Sequence, residues 1–446
     1  MKTPIFDFLN EYRKKSPERF HMPGHKGAEN LLCEEYDITE IDGADSLFNA
    51  TGVIFESEKL ASEIFGAHTL YSTEGSSLSI RAMLYLAALH AKESGKRPLI
   101  LAGRNAHKSF ISAAALIDFD VEWIYPEKDA SYLSAKIDTE WLKARFASKN
   151  AAPTALYITS PDYLGNVEDI RSLAEICHEN GALLLVDNAH GAYLKFLNPS
   201  RHPIDLGADI SCDSAHKTLH ALTGSAYLHL SRHLPEYFFQ RAKRAMSLFA
   251  TTSPSYLILA SLDKLNERLE GYEASLSEFL PKLSALRARL SALGFEFLGN
   301  EPLKLCFAAK KYGYFGFELA RALIEKNIYP EFYDSDFLVL MLTPDNSVRA
   351  LEYLFSVLSG IERKPEISEN APKFFSPVCK ISPREAVFSP FEMLEAKDTV
   401  GKILAHPGVS CPPAVPILVP GEVIDKNALS VFEYYGIEKL PVVKEV

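Results

Sequence analysis

From about residue 57 the apolar positions of this chain switch back and forth between the period of a helix and that of a buried strand. Leu78 to Glu93 carries Ala, Leu and Met at helical spacing, and Arg97 to Ala102 (RPLILA) is a short apolar run closed by Gly103. Val121 to Tyr125 and Ala155 to Thr159 read as further strands. Glu168 to Asn180 returns to helical spacing and stops at Gly181, a residue suited to the left-handed turn that ends many helices. The run Ala182 to Val186 (ALLLV) predicts a strand buried on both faces and ending at Asp187. Ala208 to Asp213 and Ala226 to Leu230 are two more short strands. Such alternation is the pattern of an α/β fold, a mostly parallel sheet covered by helices on both faces.

The stretch SAHKTLHALTG, between the last two strands, is predicted to be too polar for the core. After TTSPSY, where Ser253 and Pro254 suit a helix start, helical spacing runs with interruptions to about Leu293 and links a large domain to a smaller one. Residues 295–360 predict strand, helix (Phe317 to Lys326), strand (Ile328 to Phe332), strand (Phe337 to Leu342) and helix (Ser347 to Leu358), a compact α+β region. Glu362 to Lys373 reads as a polar linker, and the Pro-rich CPPAVPILVPGE as an extended strip.

A chain of 446 residues, 47% of them hydrophobic, can bury a large core divided among two or three domains. Its formal net charge of -11 argues against a nucleic-acid surface, which needs a concentrated excess of Lys and Arg, and suits a cationic partner better. The six cysteines are scattered without a CxxC pair, so they predict reduced thiols and neither a zinc knuckle nor a disulfide framework. The opening MKTPIFDFLNEYRKK is interrupted by Pro, Asp and Glu and is no secretory leader, and no apolar run reaches membrane-spanning length. A cytoplasmic location is the expectation. No metal is expected either: His21 and His25 are four apart, but Pro23 and Gly24 between them exclude the helical face such a pair would need. Neither a phosphate loop of the G-x-x-x-x-G-K-[ST] type nor a strand-linked G-x-G-x-x-G is present.

Three loops at predicted strand ends or helix starts carry the chemistry, since ligands in open α/β sheets bind at the carboxyl ends of strands. The first, Ser72-Thr73-Glu74-Gly75-Ser76-Ser77, offers backbone N–H groups and hydroxyls to a phosphate at a helix N-terminus. By itself it is also a plain serine N-cap. The second, Val186-Asp187-Asn188-Ala189-His190-Gly191, puts an acid at the end of a buried strand, where it can keep a pyridine nitrogen protonated, and a small Ala189 against which a flat ring can lie. A structural Asp capping a turn explains it equally well. The third, Asp213-Ser214-Ala215-His216-Lys217-Thr218, places a lysine where partial desolvation would leave a neutral amine for a Schiff base. A lone lysine is usually a solvated surface charge. The ordered set of phosphate loop, strand-end Asp and S-x-H-K favours the chemical reading.

With these loops the chain resembles the ornithine/lysine/arginine decarboxylase family of fold-type-I, aspartate-aminotransferase-like pyridoxal enzymes. The resemblance runs through RFHMPGHKG, ITEIDGADSLFNATG, RNAHKS, VDNAHGAY, SAHKTLHALTGSAYLH, TTSPSY, SPREA and PPAVPILVPGE. It implies a seven-stranded, mostly parallel sheet and divides the chain into an active-site segment (1–56), a large cofactor domain (57–293), a small α+β domain (294–361) and a C-terminal decarboxylase domain (374–446). It also implies pyridoxal 5'-phosphate bound as an imine on Lys217, with Asp187 at the pyridine nitrogen, Ala189 on one ring face and His107 on the other. Gly75, Ser76, Ser77, His190, Ser214 and His216 would surround the cofactor, with Ser253 approaching from a second subunit of a homodimer. The catalytic set is Lys217, His107, Asp187 and His216, and the substrate a basic amino acid whose cation could meet Glu74, Glu331 or Cys411. Opening almost directly on RFHMPGHKG, the chain looks like the short form without a receiver-like domain. It departs from the family pattern at Glu74 (usually Asn), His220 (commonly Pro), Cys411 (Tyr) and Ala414 (Gly), which bears on substrate choice. Another pyridoxal enzyme, an aminotransferase or lyase, would require an Arg gripping the substrate carboxylate, and no motif supplies one. A non-catalytic paralogue would have no need of both Lys217 and Asp187.

Overall fold

A strand with five apolar or terminal positions in a row must be covered on both faces, and Leu183–Asp187 is buried at every residue. In the computed structural model, which describes residues 2–28, 32–127, 130–148, 151–369, 371–373, 376–407 and 414–444, this strand runs parallel to Ile210–Asp213. Ile210–Asp213 pairs antiparallel with Ala226–Leu230, which pairs antiparallel with His68–Ser72. These strands lie in the first of two compact units, built from Met1–Gly95 and Ile170–Leu276. The second unit, Lys96–Asp169 with Ser277–Val446, holds Ala155–Thr159, Leu99–Gly103 and Asp120–Ile124, all mutually parallel where they pair. In the first unit only Ala226–Leu230 runs against its neighbours, and the three strands of the second pair in parallel, as the α/β, mostly parallel expectation required.

The first unit's helix Gly75–Glu93 buries Leu78, Met83, Leu84 and Ala87 and starts three residues before its apolar period does, because the glycine and serines ahead of Leu78 already form its first turn. The helical stretch after TTSPSY is two helices, Tyr256–Leu269 and Tyr272–Ala292, and the first begins after Ser255, two positions beyond the expected start. Asp45 shapes the ITEIDGADSLFNATG segment: its carboxylate accepts from the N–H groups of Ser46, Thr51, Gly52 and Ile54, while Tyr256 Oη donates to its carbonyl at 2.6 Å. Asp263, also on the helix Tyr256–Leu269, accepts from Ser57 Oγ and the Phe6 N–H and so ties the N-terminal helix Pro4–Lys14 to this unit.

Two local expectations fail. The SAHKTLHALTG stretch is not excluded from the core: Ser214, Ala215 and Thr218 are buried, and Ala215–Thr218 is a short helix. Its main chain finds partners inside the protein, with Lys217 N–H on Ser214 O and Tyr272 Oη on Thr218 O, so a polar sequence does not force it into solvent. The strand expected over Ile328 to Phe332 is reduced to Phe332–Tyr333, because Pro330 has no N–H to give a ladder.

In the second unit, Phe332–Tyr333, Phe337–Met341, Lys304–Ala308 and Phe297–Leu298 form an antiparallel sheet beside helices Gly316–Ile324 and Val348–Ser359, the α+β region the pattern predicts. The C-terminal stretch adds the pair Phe391–Glu395 and Lys439–Val443 and the helix Lys426–Tyr434, none of which the apolar pattern reveals. Arg104, from the RNAHKS segment, donates to Pro416 O, Ile417 O and Glu422 Oε2 at 2.9, 3.0 and 2.9 Å. Both side chains of this ion pair are 1% exposed. Burial pushes the Glu422 carboxyl up, and the guanidinium only partly opposes it. Among the described residues no helix is long and apolar enough to cross a membrane.

Removing one partner of a buried pair strands the other, so Arg104→Ala should cost about 3–5 kcal/mol in urea unfolding, far more than an exposed Arg→Ala change. Burial raises the Asp263 carboxyl to about 6 despite its hydrogen bonds from Ser57 and Phe6. The native state therefore holds a proton that the unfolded chain, with its ordinary carboxylate, has released. Stability is gained as pH falls from 7 to 5, by about 1 kcal/mol from this group. Asp263→Asn should flatten that part of the stability–pH curve, measured by urea unfolding at each pH.

Candidate active site

Parallel strands deliver their carboxyl ends to one edge, and the first unit places three loops there, after His68–Ser72, Leu183–Asp187 and Ile210–Asp213. Gly75 opens the helix Gly75–Glu93 with φ +68, and a Cβ built on it would meet nothing within 4 Å, so the space over the helix start is open. The first-turn N–H groups of a helix have no acceptor inside it and attract an anion. Gly75 N–H donates instead to Gly224 O at 2.8 Å, which fastens this loop to the lysine loop. Gly224 has φ +97, and a Cβ there would crowd Thr73 O at 3.1 Å and Ile258 Cδ1 at 3.0 Å. Ser214 Oγ donates to Ser76 Oγ at 3.0 Å, so hydroxyls from both loops converge over the same helix start.

Lys217 Nζ lies 2.9 Å from His190 Nε2. The contact crosses from the lysine loop to the loop after Leu183–Asp187, where Asp187, Ala189 and His190 are all buried. Asp187 Oδ1 accepts from Ala189 N–H at 3.2 Å and from the Cys212 thiol at 3.7 Å. Burial, reinforced by Asp187 and Asp213, pushes the Cys212 thiol far up, so it stays a donor. His216 donates from Nδ1 to Ser225 O at 2.8 Å. Burial holds its pKa below the usual histidine value against that hydrogen bond, with Lys217 adding to the effect.

The first unit thus gathers Gly75, Ser76, Ser214, His216, Lys217, Asp187, Ala189 and His190 around one edge, with Ser77 in the same helical turn as Ser76. Glu74 is exposed, and its Oε1 accepts from Thr251 N–H at 2.7 Å, which orders the loop carrying the exposed Ser253. His107 and Glu331 belong to the second unit. There His107 caps the helix Lys108–Ile117 by accepting from Ser109 N–H, and Glu331 is exposed. Cys411 lies outside the described residues. Two residues to which pattern and motif gave no role belong to this edge: Asn188, whose amide donates to Asp213 Oδ1 at 2.7 Å, and Cys212. Each sits beside a residue the motifs mark, and that adjacency was the available signal.

The profile of the family described as "Orn/Lys/Arg decarboxylase, major domain" matches residues 3–292. An arginine decarboxylase of Bacillus subtilis is 30% identical over 464 aligned residues, covering 96% of this chain and 92% of that protein. One from Halalkalibacterium halodurans is 30% identical over 99% of this chain and 95% of its own length. Among solved structures, a lysine decarboxylase of Francisella novicida superposes with a TM-score of 0.82 over 99% of this chain and 81% of its own, at 17% identity.

A valine at φ +68 is strained, by on the order of 1–2 kcal/mol, and its branches would fill the open space before the helix. Gly75→Val should lower the thermal midpoint by a few degrees and weaken binding of a phosphate ester about tenfold or more, measured by titration calorimetry.

Proposed function

This chain belongs to the Orn/Lys/Arg decarboxylase family, a family of carboxy-lyases acting on basic amino acids, and from that premise we propose that it converts arginine to agmatine and carbon dioxide with pyridoxal 5'-phosphate carried on Lys217. The observation that carries the reading is the contact of Lys217 Nζ with His190 Nε2 at the edge where Asp187 and the open start of the helix Gly75–Glu93 also lie. The choice of arginine rests on the names of the relatives that match nearly the whole chain.

The residues present fit the cofactor. The space over Gly75, the first-turn N–H groups and the hydroxyls of Ser76, Ser77 and Ser214 suit a phosphate, and the Ala189 methyl leaves room for a flat ring. Bound there, pyridoxal phosphate supplies an electron-accepting pyridinium to take the electrons of the broken bond between the α-carbon and the carboxylate. Asp187, held by Ala189 N–H and the Cys212 thiol, would keep the ring nitrogen protonated. As an ammonium Lys217 can only donate, so His190 Nε2 then accepts; as a free amine Lys217 can itself accept. The pair can therefore hold and return the proton that the α-carbon takes up when carbon dioxide leaves. His216 has its Nδ1–H committed to Ser225 O, so it would donate to a phosphate only with Nε2 protonated. The reading places the enzyme in the cytoplasm, in polyamine metabolism, as at least a homodimer with the exposed Ser253 turned toward a second subunit's cofactor.

Purified protein incubated with pyridoxal phosphate should acquire a visible absorbance that borohydride fixes, with carbon dioxide released fastest from arginine when arginine, lysine and ornithine are supplied separately. Lys217→Ala should abolish the borohydride-fixed label and lower carbon dioxide release by several orders of magnitude. A label that survives the substitution overturns the role of Lys217, and faster release from lysine or ornithine overturns the substrate.

A further inference from the structure

Behind the loop edge, in the first unit, three side chains that no part of the proposed reaction uses meet in the interior. His202 Nε2 lies 3.0 Å from Asp213 Oδ2, and His229 Nε2 lies 3.2 Å from the same oxygen. All three side chains are 0% exposed. The other oxygen of Asp213 accepts from the Asn188 amide at 2.7 Å. His229 Nδ1 meets Thr69 Oγ1 at 2.9 Å, and Phe65 covers both imidazoles.

Two histidines and an aspartate of this spacing have the composition of a metal site. The hydrogen bonds argue for a different role. Ile204 N–H donates to His202 Nδ1 at 3.3 Å, so Nδ1 offers its lone pair and the neutral ring carries its proton on Nε2. That proton points at Asp213. A metal on Nε2 would move the proton to Nδ1, where it would face the Ile204 donor. Asp213 instead accepts on both oxygens, from the Asn188 amide and His202 Nε2–H, the pattern of a carboxylate anion.

We propose that His202, Asp213 and His229 form a buried positioning unit that acts on the cofactor edge through the side chain of Asn188. The inference rests on the pyridoxal reading above. Asn188 stands between Asp187, the partner of the ring nitrogen, and Ala189, the wall for the ring face. Its main-chain N–H donates to Cys212 O at 3.0 Å, its carbonyl accepts from Gly191 N–H at 2.8 Å, and its side-chain amide is held by Asp213. The turn that aims Asp187 is thus anchored to the neighbouring strand from both main chain and side chain. Only an anion suits the anchor, because Asn188 and His202 present N–H donors to its two oxygens. An asparagine at position 213 would set its own NH2 against one of them. Asp213 also adjoins Ser214, so the same anion fixes the start of the lysine loop.

The test compares the full-length protein with Asn188→Ala and Asp213→Asn for pyridoxal phosphate affinity by equilibrium dialysis, and for the pH midpoint of the Lys217-bound absorbance. Leu259→Ala, a buried apolar truncation in the same unit, serves as control. Both network variants should bind the cofactor about tenfold or more weakly and move the pH midpoint, whereas Leu259→Ala should lower the thermal midpoint and move neither. Asn188→Ala leaves the ion cluster whole, so it decides the matter if Asp213→Asn fails to fold. Affinity within about twofold of the parent together with an unmoved pH midpoint in Asn188→Ala overturns the proposal, as does stoichiometric zinc in the purified parent. A parent that forms no borohydride-fixed absorbance defeats the pyridoxal reading itself, a result distinct from either.

Discussion

The constraint on which the first unit depends is the burial of two carboxyl side chains at the ends of neighbouring parallel strands. Asp187 and Asp213 close Leu183–Asp187 and Ile210–Asp213, strands covered along their whole length, and neither group has bulk water to solvate it. Each must be supplied with donors by the protein. Asp213 receives Asn188 and His202, and Asp187 receives the Ala189 N–H and the Cys212 thiol. Because an unmet buried polar group costs more than a met one gains, the two sets of donors fix the backbone around them. The loops that follow inherit that rigidity, and the candidate site residues stand on those loops.

A second buried carboxyl plays a comparable part in the other unit. Glu422 ends the Pro-rich strip and is met by Arg104 and by Val419 N–H, while Arg104 also closes off the carbonyls of Pro416 and Ile417. Proline-rich chain cannot satisfy its carbonyls by forming helix, and a planar guanidinium with several donors serves that need better than a lysine could. The RNAHKS segment and the strip therefore meet because one provides donors and the other has acceptors without a ladder.

Most of the α/β frame was legible in the sequence. Ala155–Thr159 and Ala226–Leu230 fall where the apolar runs place them, and the helix predicted from Glu168 to Asn180 is found at Ile170–Glu179, with Gly181 at φ +66 just after it. These succeeded because a strand buried on both faces has no choice of composition. Errors came where polarity was taken as exposure, as in the stretch around Lys217, or where a proline removed a ladder hydrogen bond, as at Pro330. The C-terminal strand pair was missed for a related reason: along Phe391–Glu395 the residues are at most half-buried, so the apolar signal is weak.

The sequence by itself marked the three loops, their order, and candidate roles for Lys217, Asp187 and the small residues at Gly75 and Ala189. Those roles are tied to local constraints, a strand end or a helix start, that a few adjacent residues express. Tertiary structure alone decided which side chain meets which. The approach of His190 to Lys217, the closure of Gly75 onto Gly224, and the convergence of His202 and His229 on Asp213 all join residues distant along the chain. A histidine carries no local mark of a partner many residues away, and only strand pairing brings the partner's lone pair within 3 Å or so of its proton.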